Sequence, residues 1–537
     1  MKPHNPGRSG NGKDSVRWLS FFTEVRRDEL RATLLFFLTA FLMLAAYYII
    51  RALREGFILV DFGADARSMA VGVVTLILMV VVPLYSKLRY RFGSNRLVFF
   101  IFAFFTANLV LFYLAWSLQW QIGFVFFVWV GLFGLMVVSQ FWAMANGSWD
   151  EDAGKRLFPF IMIGANLGAL AGTEVADIAA SHHGMHGLMM IGISLMAVVT
   201  LLLPACWRTA PGRPAAAATC GPRPSMLGGF SVVASDRYLV LMALTIVLLN
   251  WINSTGEYLF AHFVELHAAT ELPAAASHDQ RAEYVTHVYA NFMLWYTALG
   301  LLMQTFVVSR LFRWIGVGRS ALILPVLIMF SYLLIAFVPI FTLIRFVKIA
   351  ENAVDYSLMS TVRQALFLPT SEEAKFDGKT AIDTFFWRIG DLVQAAMVYA
   401  GVHWLGWEVR GFAIAALMLS VLFLLSSAAL AREYRRRVPD DGLRVDYRMT
   451  VAPGGAIDMH LPSVLTGLDA GSLGSIAAYV DGGQPLPGWL GYDSVRHRLQ
   501  GETPGDFRGV LKLRVDAGDA PALKHRYSVA IVALPGE

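Results

Sequence analysis

Between residues 32 and 431 the chain is a succession of a dozen apolar blocks. Each is near or beyond the ~20 residues that a helix needs to cross ~30 Å of hydrocarbon. Hydrophobic residues make up 56% of the 537, charged residues only 15%, and mean hydropathy is +0.55. A soluble chain of this length carries roughly a quarter charged residues, so the blocks read as transmembrane helices rather than a buried core.

The spans are expected at about 32–51, 67–87, 95–117, 120–145, 157–180, 185–206, 237–262, 285–309, 319–338, 339–361, 380–406 and 411–431. Only Pro339 divides the ninth from the tenth. The loops on the amino-terminal side carry most of the Lys and Arg, Arg435 to Arg437 among them. The opposite loops hold only Arg51, Arg54, Arg67, Arg281 and Arg410. Positive charge marks the cytoplasmic side, so an even number of spans with both termini cytoplasmic is predicted, in a cell membrane such as the bacterial inner membrane. The net charge of +5 is thereby a topology signal, and nucleic-acid binding is excluded. The first 20 residues are polar, so no cleavable signal peptide is expected.

The expected organisation is a cytoplasmic tail (1–31), a six-helix bundle (32–206), a linker rich in Pro, Ala and Gly (207–236), a second six-helix bundle (237–431), a basic linker (432–444) and a soluble β domain (445–537). A six-plus-six plan places a midplane site between two halves. In the last 90 residues or so, short β-prone runs such as Gly509–Val515 and Tyr527–Val532 alternate with Gly, Pro and Asp turns. The stretch Leu486-Pro-Gly-Trp-Leu-Gly-Tyr-Asp493, followed by Leu499-Gln-Gly-Glu-Thr-Pro504, resembles cadherin-like or Ig-like bacterial domains. That resemblance implies a small sandwich with a partner of its own, unidentified by the sequence. Cys206 and Cys220 form neither a disulfide framework nor a metal spacing.

Ionisable groups inside a bilayer are expensive and mark pathways or relays. Arg51, Arg54 and Glu55 close the first predicted span, Glu174 and Asp177 lie late in the fifth, and Glu257 lies in the seventh. The tenth carries Arg345, Lys348, Glu351 and Asp355, which at 100° per residue fall within an arc of about 120° and can line one wet groove. Asp383, Trp387, Arg388 and Asp391 share one face of the eleventh. Internal ion pairing is the competing role for all of these. Basic groups at a helix end suit a phosphate or carboxylate, whereas Glu257, Asp355 or Asp391 could relay protons. Phe141, Trp142, Trp251, Trp295 and Trp387 could stack on a ring, although packing is the commoner role of such residues. No nucleophile–base pair, zinc cluster or phosphate loop stands out, so no catalysis, cofactor or metal is expected.

Three sets of motifs run in order along residues 30–430. The first is Ile50-Arg51-Ala-Leu-Arg54-Glu55. The second is Phe141-Trp142-Ala-Met-Ala-Asn146, then Glu151-Asp-Ala-Gly-Lys155-Arg156-Leu-Phe-Pro159, then Gly164-Ala-Asn166-Leu-Gly168. The third is Arg363-Gln-Ala-Leu-Phe-Leu-Pro369, Glu373-Ala-Lys375, Lys379-Thr-Ala-Ile-Asp383 and Arg388-Ile-Gly-Asp391. Together they resemble the ATP/ADP translocase family of nucleotide transporters. The resemblance implies a carrier of the major-facilitator type with nucleotides as the best-known substrates. Family members that exchange ATP for ADP carry acidic residues in the fourth and seventh spans and a basic residue in the eleventh. The counterparts here are Val130, Asn253 and Asp391, while Arg54 matches a basic family position.

The resulting expectation is an all-α polytopic secondary transporter of an organic anionic solute, plus the β domain. Its pathway residues are expected to be Arg51, Arg54, Glu55, Asn166, Asn253, Glu257, Arg345, Lys348, Glu351, Asp355, Arg388 and Asp391. Two alternatives stay open: a proton-coupled carrier of another solute, and a non-transporting scaffold or sensor that acts through the β domain.

Overall fold

The computed structural model describes residues 29–91, 94–149, 151–209, 226–371, 373–438, 446–451, 454–460, 476–480, 485–493, 498–506, 510–517 and 525–533. Two compact units divide the chain, Met1–Glu433 and Tyr434–Glu537.

The first unit is helical. Its elements are α1 (Leu30–Asp61), α2 (Gly63–Arg91), α3 (Ser94–Ser117), α4 (Gly123–Asn146), α5 (Glu151–Thr209), α6 (Met226–Ser235), α7 (Arg237–Glu271), α8 (His278–Phe306), α9 (Val308–Ser320), α10 (Ile323–Phe337), α11 (Phe341–Val354), α12 (Ser360–Leu366), α13 (Lys379–Ala381), α14 (Trp387–His403) and α15 (Val409–Arg437), the last running a few residues into the second unit. Among the described residues seven helices are long and apolar enough to cross a membrane, or eight if the pair α8–α9, bent by 75°, is one span.

Several boundaries differ from expectation, each for a local reason. The helix expected to end near Arg51 continues to Asp61, because Arg54 and Glu55 are paired inside the protein instead of reaching water. The fifth and sixth blocks fall in the single element α5, which turns at Gly184, where φ is +67°. A side chain would oppose that backbone conformation. α8 begins at His278, several residues early, behind a capping box in which Ser277 and Gln280 satisfy each other's backbone N–H. α10 and α11 are interrupted at 338–340, around Pro339. Three π-helical stretches, Asp355–Met359, Ala374–Gly378 and Ile382–Phe386, break the helices that carry most charge in the second half. Such bulges occur frequently at functional sites.

Small residues set the closest packing. A Cβ on Gly172 would lie 2.7 Å from the Cα of Ala45, and one on Gly164 would lie 2.8 Å from the carbonyl oxygen of Phe37. Gly164, Gly168 and Gly172 thus seat α5 directly on the α1 backbone, the small-residue contact that lets helices associate in lipid. The outward faces are the reverse of a soluble protein's. Leu201 is 74% exposed and Phe346 70%, and Phe100, Leu111, Phe330 and Leu425 are also exposed. A contiguous apolar surface of this kind is stable against hydrocarbon and not against water. Trp120, Trp314 and Trp404 are exposed at or near helix ends, where indole rings favour the membrane–water boundary.

Among its described residues the second unit holds seven strands in two sheets. β1 (Asp446–Val451) pairs in parallel with β7 (His525–Ala533), and β6 (Val510–Ala517) lies antiparallel between β7 and β3 (Ile476–Val480). β2 (Ala456–His460), β5 (Arg498–Glu502) and β4 (Leu490–Asp493) form the other, antiparallel sheet. Leu499 and Ile531 are fully buried, as befits inward positions on alternating strands.

Candidate functional site

The charged residues of the first unit converge where α1, α2 and α4 meet α7 and α14. Glu55, 1% exposed, accepts from Arg54 and, at 2.6 Å, from the Nε of Arg67. Arg67 also reaches Glu257 at 3.2 Å, so one guanidinium joins α1, α2 and α7. Asn352 donates to the other oxygen of Glu257 at 3.4 Å. The Arg54 guanidinium lies 4.2 Å from the centre of the Phe127 ring, where cation–π attraction adds to the pairing.

Asp391 on α14 accepts from Ser254 at 2.7 Å and Thr75 at 3.4 Å, with Arg388 at 3.8 Å. One turn on, Gln394 accepts from Ser68 at 3.0 Å. A cavity of about 210 Å³ lies between these groups, lined by Arg54, Arg67, Phe127, Glu257, Arg388 and Asp391 among others. Both halves of the unit therefore supply its walls. In the second half, Lys348 donates to Glu351 at 2.6 Å, both nearly inaccessible. Gly256 leaves room for this pair, since a Cβ there would collide with the Lys348 ammonium and the Tyr332 hydroxyl.

The contacts between the halves cluster at one end. Besides Arg67–Glu257, and the Ser68–Gln394 and Thr75–Asp391 bonds deeper along α2, they include Asp61–His278 (2.8 Å), Asp65–Tyr258 (2.9 Å), Asp177–His287 (2.7 Å) and Asp177–Asn291 (3.1 Å). On α1 the ion pair that crosses is at Asp61. Toward its start, Glu29 pairs with Arg156 of α5 and Thr39 meets Cys206, partners within the same half. The corresponding stretch of α7 likewise stays within its own half, with Tyr238 on Leu366, Thr245 on Ser426 and Asn250 on the Trp387 carbonyl. The halves are thus pinned together at the end where α1 finishes.

Of the expected pathway residues, Arg54, Glu257, Arg388 and Asp391 line the cavity, and Glu55 stands behind it. Asn253 donates to Asp355 at 3.5 Å, and Arg345 donates to Asn291. Asn166 is exposed on α5 and does not line the cavity. Among the motif residues, Phe141 packs with Phe36 and Trp142, and Trp142 with Phe158, in an aromatic cluster of the first half. Trp387 is covered by the Arg363 guanidinium at 4.6 Å, Asn146 and Asp383 are exposed, and Pro159 lies inside α5. The side chain of Lys155 lies outside the described residues.

Arg51, Arg54 and Arg67 are not outer-loop residues as the charge count had them. They lie within α1 and α2, and Arg67 is buried. Arg67, Ser68, Thr75, Ser254 and Gln394 are the residues that sequence reasoning missed. The available signal was the spacing of Arg67 from Glu55 across a short Gly63 turn, which folds α2 back along α1. Among the described residues no group of three or more His, Cys, Asp or Glu could hold a metal ion.

Apolar outer faces around buried paired charges define a multi-pass integral membrane protein, and its fold is similar to those of transporters of known structure. A POT family transporter in complex with a thioalcohol-conjugated peptide matches 75% of this chain and 96% of its own, with TM-score 0.56 and 13% identity. An autoinhibited POT family peptide transporter matches 76% and 97%, with TM-score 0.55 and 12% identity. In sequence the chain is similar to ADP,ATP carrier protein 1 of Chlamydia trachomatis, 22% identical over 501 residues, which are 77% of this chain and 93% of that one. ADP,ATP carrier protein 1 of Chlamydia pneumoniae is 22% identical over 356 residues, 57% of this chain and 66% of that one. The resemblance read from the motifs is thereby borne out. No family model matches the chain. The relatives named here are carriers and not enzymes.

Proposed function

We propose that the chain is a secondary transporter of an organic anion, with nucleotides the first substrates to test. In this reading twelve spans form two six-helix bundles with both termini cytoplasmic, and rocking of the bundles alternates access to the cavity. The observation that carries it is the Arg67 bridge from Glu55 to Glu257, which ties the halves at one end beside a cavity walled by both. Ion pairs gathered toward one end are what a carrier closed on that side requires. By the loop charges, the pinned end is the outer one. Arginines in the cavity wall supply forked donors for phosphate or carboxylate oxygens. The names of the two sequence relatives support nucleotides as cargo. Uptake of labelled ATP, ADP and AMP into proteoliposomes tests the substrate. Absence of saturable flux for all three removes nucleotides.

A second reading, proton coupling, is favoured by Asp391. Two hydroxyls hold its carboxylate, and its nearest cation stands back at 3.8 Å. Flux that follows a pH gradient in the wild type and loses that dependence in Asp391→Asn supports it, and indifference to the gradient counts against it. The β unit is proposed to be an Ig-like binding module, accessory to transport.

A further inference from the structure

Arg51 differs from the arginines of the cavity wall in how it is satisfied. Arg54, Arg67, Lys348 and Arg388 each have a carboxylate within 4 Å. Arg51 has none among the described residues. Its surroundings are phenolic instead: Tyr47 and Tyr48 from α1, Tyr296 from α8 and Tyr356 from the π-helical stretch after α11 are the groups acting on it. The guanidinium lies 5.9 Å from the centre of the Tyr48 ring.

A guanidinium has five N–H donors and a full charge that phenols cannot neutralise. Left so within a membrane layer, it is an expensive group unless a counter-charge visits it. Two further observations indicate that one does. The buried Tyr296 hydroxyl has no hydrogen-bond partner, so a donor waits beside the cation. Tyr356, stacked on Tyr296 with ring centres 5.5 Å apart and planes at 19°, is 52% exposed, so one face of the pair is open. The position also fits a carrier. Arg51 lies one helical turn, about 6 Å, before Glu55 on α1, just on the open side of the layer that pins the halves. The two halves contribute two tyrosines each.

We propose that Arg51 with Tyr47, Tyr48, Tyr296 and Tyr356 is the subsite for an oxyanion of the solute, a phosphate or a carboxylate, and that the Tyr356 ring offers a stacking face beside it. The assignment rests on the transport reading for the identity of its ligand as cargo. Because both halves build the cage, separating them on the pinned side's opening would alter it, which couples anion binding to the conformational change.

The test is titration of the purified full chain in nanodiscs with ADP, adenosine and citrate, for the wild type and for Arg51→Gln, Arg51→Lys and Tyr356→Phe. ADP or citrate binds the wild type, and which of them does separates phosphate from carboxylate. Arg51→Gln weakens that binding at least about tenfold, as loss of charge-assisted hydrogen bonds requires, and leaves any adenosine binding unchanged. Arg51→Lys, which keeps charge without the fork, and Tyr356→Phe, which keeps the ring without the hydroxyl, each weaken it several-fold. These two decide the matter if Arg51→Gln does not fold. Anion affinities within twofold of wild type in the folded variants, or no binding of ADP or citrate by the wild type, overturn the subsite. Saturable flux unaltered by Arg51→Gln sinks the subsite and leaves transport standing. Arg51-dependent binding without flux does the reverse.

Discussion

Replacing Glu257 with Gln isolates the bond between the halves with little collateral damage. Arg67 keeps its 2.6 Å pair with Glu55, so no buried cation is orphaned, while the charge that it reaches across at 3.2 Å disappears. Glu257 is 24% exposed, so the pair is screened little enough to count as a hydrogen bond between charged groups. Such bonds contribute about 1.5–3 kcal/mol. All of that favours the pinned arrangement, so its loss shifts the equilibrium between the two access states by about 10- to 150-fold. The assay places a cysteine at Val71, on the cavity wall, in a background with Cys206 and Cys220 replaced. Its reaction with a membrane-impermeant maleimide is then followed from the pinned side. Glu257→Gln should raise that rate at least about tenfold over the Val71→Cys parent. A rate unchanged within twofold, with the protein folded, would refute the view that Arg67–Glu257 holds the halves together.

Two further substitutions probe the packing. Lys348→Met strands the nearly inaccessible Glu351 carboxylate, and should cost about 3–5 kcal/mol in stability. Adding Glu351→Leu should recover most of it, as read by thermal unfolding in detergent. Gly168→Leu forces a side chain into the α1 backbone at Phe41. The expected result is loss of the monodisperse protein or a drop of at least about 1–3 kcal/mol, whereas Gly147→Leu, exposed, at negative φ and with only ordinary van der Waals contacts for a Cβ, is the control for a glycine substitution as such.

The helices were legible because a bilayer imposes a length on every apolar block, and length survives ignorance of packing. Boundaries were less so. Arg51, Arg54 and Glu55 read as a helix end because charge usually meets water, yet α1 runs on once Arg67 and Glu257 supply partners from other helices. The polar groups of the tenth and eleventh spans were identified from periodicity, but their roles depended on contacts between helices far apart in the chain. Lys348 and Glu351 are each other's partners, and Asp391 is held by Thr75 from the opposite half. Ser68 and Gln394, which meet across 326 positions, carried no sequence signal at all. The tyrosine cage was equally silent, since no single tyrosine on a helix is unusual. Asn166 was carried by its motif, and the structure leaves it on an exposed face.

Whether the two halves must part for solute to cross is answered most directly by locking them. With Asp61→Cys and His278→Cys introduced at the pinned end, a short bismaleimide should join α1 to α8. The account predicts saturable uptake of labelled nucleotide into proteoliposomes by the unlinked double variant, competed by unlabelled solute and abolished by the cross-link. Uptake that survives complete cross-linking, or absence of saturable uptake of any organic anion by the wild-type chain, would contradict it.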